Sequence, residues 1–328
     1  MNKKIIIIYL IIFYAFTLNA KKNEIHLGIE FTAHAAAPYI ALYKKWFKKE
    51  GINIIKYDNY ITGTALASAL TRGDINVAYI CLIPAISAYK NGGVKLKIVC
   101  GTHKYGYGLI VNSKKIKNIY DLQKKKIKIA CGREGSPTDI LLHKLIEKYN
   151  LKIATKKILR MSSPKILLLM RSGQIDGGFC CEQFVSMGVK VGFKELISAK
   201  DLWKNMQGSV LIVREELIKN NPTIVKKLVN ITRKAILYLS QHQFNSYKIV
   251  AHSLSVSSQS IFPLKLINSL NQLVITPDSL HRALYKEMIC TPDLKLSMIQ
   301  DEINYMYKLG YIKNSFNARL ITDLRFLK

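Results

Sequence analysis

Acidic residues are scarce in this 328-residue chain: 21 Asp and Glu stand against 50 Lys and Arg, for a formal net charge of +29. Arginine is scarcer still, at 9 against 41 lysines, with no Arg-rich helix and no basic–aromatic motif. Arg is the side chain that reads phosphates and base edges with a rigid fork. Its shortage excludes a nucleic-acid partner from this reading and leaves the charge as a Lys-biased composition. Such a field still attracts small anions or anionic lipid head groups. The six cysteines, Cys81, Cys100, Cys131, Cys180, Cys181 and Cys290, contain no C-x-x-C pair. A zinc ribbon or a thioredoxin-like redox site therefore has no support. After the first 20 residues no run is long and apolar enough to span a membrane. A nucleophile, base and orienting group at usable spacing are also missing, so the chain does not read as an enzyme. No catalytic residue, metal or cofactor is assigned.

What is present suits a globular chain of one large or two medium domains, with 49% hydrophobic and 22% charged residues. The first 20 residues stand apart. Lys3 and Lys4 precede an apolar run from Ile5 to Phe16, and Leu18-Asn19-Ala20 closes it before Lys21. This is a secretory signal pattern with cleavage expected after Ala20. The chain that follows keeps a charge of 48 − 21 = +27. No Cys lies near the cut, so a lipid anchor is not expected.

Two stretches echo each other a hundred residues apart. Ala69-Leu-Thr-Arg-Gly-Asp-Ile-Asn-Val-Ala-Tyr-Ile-Cys-Leu82 is answered by Leu169-Met-Arg-Ser-Gly-Gln-Ile-Asp-Gly-Gly-Phe-Cys-Cys-Glu182. Each reads as a helix end, a Gly turn and a buried strand. The echo extends to a β-α-β-α-β order in each copy. In the first, strands are expected at Ile25–Ile29, Asn53–Tyr57, Ile75–Ile80 and Lys95–Cys100, and helices at about Ala36–Glu50 and from Thr62-Gly63-Thr64 to Arg72. In the second, strands are expected at Lys126–Ala130, Lys156–Arg160 and Ile175–Cys180. Its helices start at Ser136-Pro137 and Ser163-Pro164. Alternation of this kind predicts two parallel, doubly wound sheets with helices on both faces. His103–Val111 and Gly208–Val213 are the expected crossovers between lobes, which permits hinge motion. Helices are expected at Pro222–Leu239, Leu264–Leu273, Leu280–Cys290 and Leu294–Leu309, all packed on lobe one. The division is 1–20 signal, 21–104 lobe one, 105–207 lobe two, and 208–328 the return crossover, the rest of lobe one and the C-terminal helices.

Several phrases carry a resemblance. They are Pro38-Tyr-Ile-Ala-Leu-Tyr-Lys-Lys-Trp-Phe-Lys-Lys-Glu-Gly51, Gly63 to Ala78, Ile119-Tyr-Asp-Leu-Gln-Lys-Lys-Lys-Ile127, Asp176-Gly-Gly-Phe-Cys-Cys-Glu-Gln-Phe184 and Tyr305-Met-Tyr-Lys-Leu-Gly-Tyr-Ile-Lys313. In this order and spacing the chain resembles the periplasmic solute-binding proteins of nitrate/sulfonate/taurine-type ABC transporters, related to pyrimidine-precursor binders. Gln183 and Cys180-Cys181 depart from the family's Glu-Pro-aromatic phrase. The resemblance implies a two-lobed α/β periplasmic-binding-protein type II fold with a two-segment hinge. It implies a monomer that traps a small polar or anionic molecule of the nitrate, sulfonate, carboxylate or aminopyrimidine class. The partners it implies are a membrane permease and its ATPase. Two alternatives remain: a pyrimidine-synthase-like enzyme on the same fold, and a ligand-sensing module of a receptor.

In doubly wound sheets ligands sit at the carboxyl ends of strands, beside helix N-termini. That rule places Thr32, His34, Pro38, Tyr39, Gly63, Thr64, Cys81 and Pro84 on the rim of lobe one. It places Arg133, Ser136, Thr138, Cys181 and Glu182 on the rim of lobe two. Thr64 and Ser136 are also expected to cap helices. Arg133 offers a bidentate clamp for a carboxylate or sulfonate. Glu182 reads as an acceptor for a ligand amino or hydroxyl group, and the end of the first copy, Cys81 to Pro84, reads as a plain wall. Cys180 and Cys181 point to opposite faces of their strand and cannot both line one pocket, so a soft-metal site is not expected.

Overall fold

The computed structural model describes residues 24–261 and 276–328. The expected signal segment 1–20 and the expected helix Leu264–Leu273 lie outside the described residues. Among the described residues no helix is long and apolar enough to cross a membrane.

Two sheets form. The first has the order β11-β4-β10-β3-β1-β2, built from β1 (Ile25–Glu30), β2 (Ile54–Tyr60), β3 (Val77–Cys81), β4 (Leu96–Tyr105), β10 (Gln207–Arg214) and β11 (Met288–Cys290). The second has the order β7-β6-β8-β5-β9, built from β5 (Tyr107–Val111), β6 (Ile129–Cys131), β7 (Leu159–Arg160), β8 (Gly177–Cys181) and β9 (Lys194–Ser198). Neither sheet is wholly parallel, which corrects the sequence expectation. In each sheet three strands run parallel: β2-β1-β3 in one and β7-β6-β8 in the other. A strand arriving from the other lobe, β10 or β5, then inserts antiparallel beside the third. The alternation of strand and helix dictates the parallel half. A crossing segment must run back along the sheet it enters, so its direction is reversed.

The repeat is visible atom by atom. Gly73 closes the helix Gly63–Arg72 at φ +89°, with its N–H on Leu70 O and the Asp74 N–H on Ala69 O. Gly173 ends the helix Ser163–Arg171 at φ +71°, with its N–H on Met170 O and the Gln174 N–H on Leu169 O. Both are left-handed caps that only Gly adopts without strain. Ile75 and Ile175 then plunge into the core.

The chain passes between lobes at Gly106, φ +93°, which parts β4 from β5. It returns across 203–206, where Asn205 has φ +63°. The segment Gly208–Val213, expected as a crossover, is therefore already a strand of the first sheet.

Other differences have local causes. The expected helix Ala36–Glu50 breaks at Lys45, φ +57°, into Ala36–Tyr43 and Trp46–Lys49. The break leaves Tyr43 exposed and turns Trp46 and Phe47 into the core, with Trp46 edge-on to Tyr238. The expected strand Lys156–Arg160 is mostly a 3-10 turn, Thr155–Lys157, with only Leu159 and Arg160 paired. The expected helix Leu280–Cys290 ends early. Pro277–Arg282 is α-helical, Ala283–Glu287 continue it as a π-helix, and from Met288 the chain turns extended as β11, which pairs with the edge of β4. Edge pairing satisfies backbone groups that a solvent-facing helix end would leave to water. The helices Pro222–Gln241 and Gln243–Ile261 pack on the Ala36–Tyr43 side of the first sheet, and Leu296–Lys308 packs on the helix Leu82–Lys90. Pro277–Arg282 instead packs on the lobe-two helix Glu182–Lys190, so the C-terminal region does not rest on lobe one alone. One apolar core lies between the first sheet and the helices Ala36–Tyr43 and Pro222–Gln241. A larger one runs from Leu66 and Ile80 through Tyr107 to Phe179, joining the two lobes.

Candidate functional site

A cleft of about 500 Å³ opens between the lobes. Three helices start on it: Gly63–Arg72 from lobe one, and Pro137–Lys148 and Ser163–Arg171 from lobe two. Their first N–H groups lack intrahelical partners and carry partial positive charge.

On lobe one the helix is capped by Thr62, whose Oγ1 accepts from the Ala65 N–H at 3.2 Å. The cap is thus Thr62 and not Thr64. Thr64 keeps its place on the cleft, 3.0 Å from the Thr62 hydroxyl. Gly63 sits where a Cβ would lie 2.7 Å from Pro84 Cγ, so Pro84 packs beneath Gly63 and does not face the cleft. The unexpected residue is Glu30, the last of β1. It lines the cleft although only 5% exposed, and its Oε2 accepts the Cys81 N–H at 3.1 Å. Burial raises its pKa, against the lowering effect of hydrogen bonds from Cys81 and Gly63.

On lobe two Ser136 caps its helix as expected, accepting from the Asp139 N–H at 3.3 Å. Thr138 Oγ1 accepts from the Gly132 N–H at 2.9 Å. A Cβ on Gly132 would stand 2.4 Å from Ser136 Oγ, so the turn closes this tightly only with Gly. Arg133 lines the cleft, with Arg160 and Lys165 beside it. Arg160 is anchored from behind: its Nη1 donates to Asp139 Oδ1, to Cys131 Sγ at 2.7 Å and to Gly132 O at 3.2 Å. Asp139 is fully buried and also accepts from the Gly135 N–H and the Tyr311 hydroxyl. Ser162 and Ser163 complete this wall, and the Ser163 Oγ accepts the Cys181 N–H at 3.1 Å. Tyr107, Cys181 and Phe184 form the floor.

Of the residues singled out from sequence, Thr32, Gly63, Thr64, Arg133, Ser136, Thr138 and Cys181 line the cleft. His34, Pro38, Tyr39, Cys81 and Glu182 do not. His34 and Cys81 lie under the floor. His34 Nε2 contacts Gly106 O at 2.7 Å, and the Tyr107 hydroxyl donates to Cys81 Sγ at 2.8 Å. Burial takes the His34 pKa down to about 4, so the ring is neutral, and it lies 4.5 Å from the His103 ring. Pro38 and Tyr39 belong to a helix whose inner face joins the core, and the Tyr39 hydroxyl donates to Asn59 Oδ1 at 2.8 Å. Cys180 is buried in the core while Cys181 faces the cleft, as alternate strand positions require.

Glu182 is the largest correction. It is fully buried and turned away from the cleft, where Arg282 Nη1 donates to its Oε1 at 2.6 Å and Ser186 Oγ at 2.9 Å. Arg282 also pairs with Glu195, and with Glu287 at 3.1 Å. Among the described residues these three carboxylates form one cluster of metal-ligand type, and the Arg282 guanidinium already sits on all three. The first residue of a helix points outward or inward according to the helix's roll, which sequence does not specify. The hundred-residue offset held a signal that was missed. It maps Thr62 and Gly63 onto Ser162 and Ser163, which do line the cleft. Glu30 had a fainter one, an acid closing an apolar strand.

A family model matches residues 18–254, and the chain belongs to the NMT1-like family. Proteins of Brucella abortus and Brucella suis, named as candidate binding proteins, are 25% identical over 206 residues. The match spans 62% of this chain and 62% of the relatives' length. Among solved structures, the ligand-binding component of an ABC-type import system from Staphylococcus aureus, with zinc bound, superposes with a TM-score of 0.74. It is 17% identical and covers 93% of this chain and 97% of its own. The alkanesulfonate-binding protein SsuA of Xanthomonas axonopodis pv. citri, bound to MOPS, gives 0.73 at 16% identity, covering 92% and 98%. The nitrate-binding protein NrtA of Synechocystis gives 0.70 at 14%, covering 91% and 84%. The fold is the two-lobed periplasmic-binding-protein fold that the sequence implied.

Proposed function

We propose that this NMT1-like protein is the exported solute-binding component of an ABC importer. It traps a small polar or anionic molecule between its lobes and hands it to a membrane permease and ATPase. The segments up to Tyr105 and from Gln207 onward act as one lobe and those between the crossings at Gly106 and 203–206 as the other, and the protein works as a monomer without catalysing a reaction. One observation carries the reading. Three helix N-termini meet at one cleft with Arg133, Arg160 and Lys165 on its wall. The positive ends of the helix dipoles and the fixed cations together favour an anion or an acceptor-rich solute. The Thr64, Ser136, Thr138, Ser162 and Ser163 hydroxyls supply orientation. The names of the similar structures, which include sulfonate and nitrate binders, support the class.

The test is a thermal-shift screen over nitrate, sulfonates, carboxylates and aminopyrimidines, followed by small-angle scattering. A tight solute should raise the melting temperature by mass action and shrink the radius of gyration. No hit in any class, or a tight ligand without compaction, would sink the proposal.

A further inference from the structure

The two walls of the cleft have opposite character: the cations stand on lobe two, where Arg133 was expected, and the acid stands on lobe one, where the sequence suggested a plain wall. Lobe two presents Arg133, Arg160, Lys165 and two helix N-termini. Lobe one presents a carboxyl group, Glu30, at the mouth of the helix Gly63–Arg72. Glu30 is 95% removed from solvent, yet no cation of the protein pairs with it among the described residues. Glu302 is also buried without a cation and takes only the Gln207 N–H, but it does not line the cleft; Glu30 is set apart by facing it. The other buried acids at strand and helix ends in lobe two have cations on them: Asp139 has Arg160, Asp176 has Lys115, and Glu182 has Arg282. A buried carboxyl left with the Cys81 thiol and the Cys81 and Gly63 N–H groups, all neutral donors, lacks the charged partner that normally justifies it. It also occupies the anion position of the lobe-one helix, so the anionic part of a solute is directed to lobe two.

We propose that the solute carries an N–H donor, as an ammonium, amine or ring N–H, at the end opposite its anionic group, and that Glu30 is the residue that selects for it. This rests on the solute-binding reading and narrows it. The anionic end meets Arg133, Arg160, Lys165 and the Ser162–Ser163 turn, and the donor end meets Glu30. A simple anion such as nitrate fills only half of this arrangement and leaves Glu30 uncompensated. A solute with both groups satisfies both walls at once and bridges them when the lobes close.

Matched probes test this by calorimetry on the purified protein: 2-aminoethanesulfonate against ethanesulfonate, 3-aminopropanoate against propanoate, and 4-aminobenzenesulfonate against benzenesulfonate. The amino member of at least one pair should bind about tenfold tighter or better. Glu30→Gln keeps an acceptor for the Cys81 N–H. It should cut that advantage to below about threefold while leaving the plain anion nearly unchanged. Circular dichroism and urea unfolding of the variant report whether it folds, and the wild-type pair comparison stands without it. Equal binding of both members to wild-type protein overturns the proposal and leaves the solute-binding reading intact. Equal weakening of both members by Glu30→Gln also overturns it, because it assigns Glu30 a purely structural role. Failure of all six probes counts against the solute-binding reading as well.

Discussion

Arg282→Met tests the reassignment of Glu182 most directly. In the native protein one guanidinium serves three carboxylates: Glu182, fully buried, Glu195, 15% exposed, and Glu287, 19% exposed. Glu182 Oε2 and Glu195 Oε1 are buried without a hydrogen-bond partner, so the cluster is already short of positive charge. Removing one partner of a buried ion pair costs about 3–5 kcal/mol. The arginine side chain is 22% exposed and Lys200 lies 3.9 Å from Glu287, which favours the lower end, about 3 kcal/mol. The sign with pH follows from Glu182. Burial, then the Glu195 charge, pushes its pKa well above the ordinary value, and Arg282 pulls it down. A raised carboxyl pKa means the folded state holds a proton that the unfolded chain releases, so stability falls as pH climbs through that interval. Without Arg282 the interval extends further upward. The deficit of Arg282→Met should therefore be larger at about pH 8 than at about pH 5 in urea titrations. Glu182→Gln should restore most of it, since an amide needs no counterion. Glu182→Gln alone should keep solute affinity within about twofold of wild type, because Glu182 does not face the cleft. Loss of binding in Glu182→Gln with an unchanged urea midpoint would refute the reasoning.

Three further outcomes follow from the floor and the lobe contacts. His34 is buried neutral with a pKa of about 4, so stability present above its ordinary value is lost as pH falls from about 6.5 to about 4, in total about 3 kcal/mol. A His34→Gln variant should lose that slope in melting temperature against pH; an unchanged slope would assign it to other groups. Tyr311→Phe removes the hydroxyl that joins the C-terminal region to Asp139, the residue holding Arg160. One hydrogen bond of about 1 kcal/mol predicts roughly fivefold weaker solute binding in calorimetry, and no change would mean the contact is not linked to closure. Gly106→Ala forces a side chain at φ +93° and puts its Cβ 2.8 Å from His34 Nε2. A loss of at least about 1 kcal/mol in urea unfolding is expected, and a neutral variant would show the crossover is not constrained.

The legible part of this protein was whatever repeats or punctuates. Gly73 and Gly173, each followed by an apolar strand, announced the duplicated unit because only Gly takes a left-handed cap cheaply. Ser136-Pro137 and Ser163-Pro164 marked helix starts, and the carboxyl-end rule then put Thr64, Arg133, Ser136 and Thr138 near a cleft. Reasoning of this kind reads backbone position, which is local. It does not read the roll of a helix or the depth of a strand end. His34 and Cys81 sat at the right ends of their elements but one layer too deep, and Glu182 sat on the right helix with its side chain turned the other way.

Sequence by itself determined the two βαβ units, their punctuation and the cationic bias, because propensity, capping and period act over a few residues. Tertiary structure decided the rest. It alone chose the direction of β5 and β10, since a strand's sense in a sheet depends on where its chain came from. It alone gave Arg282 to Glu182 across a hundred residues, and left Glu30 at the cleft with no cation among the described residues for a partner. Two acids of equal chemistry thereby received opposite roles. The cause is burial and partnership, which are properties of neighbours in space and are not written at either position in the chain.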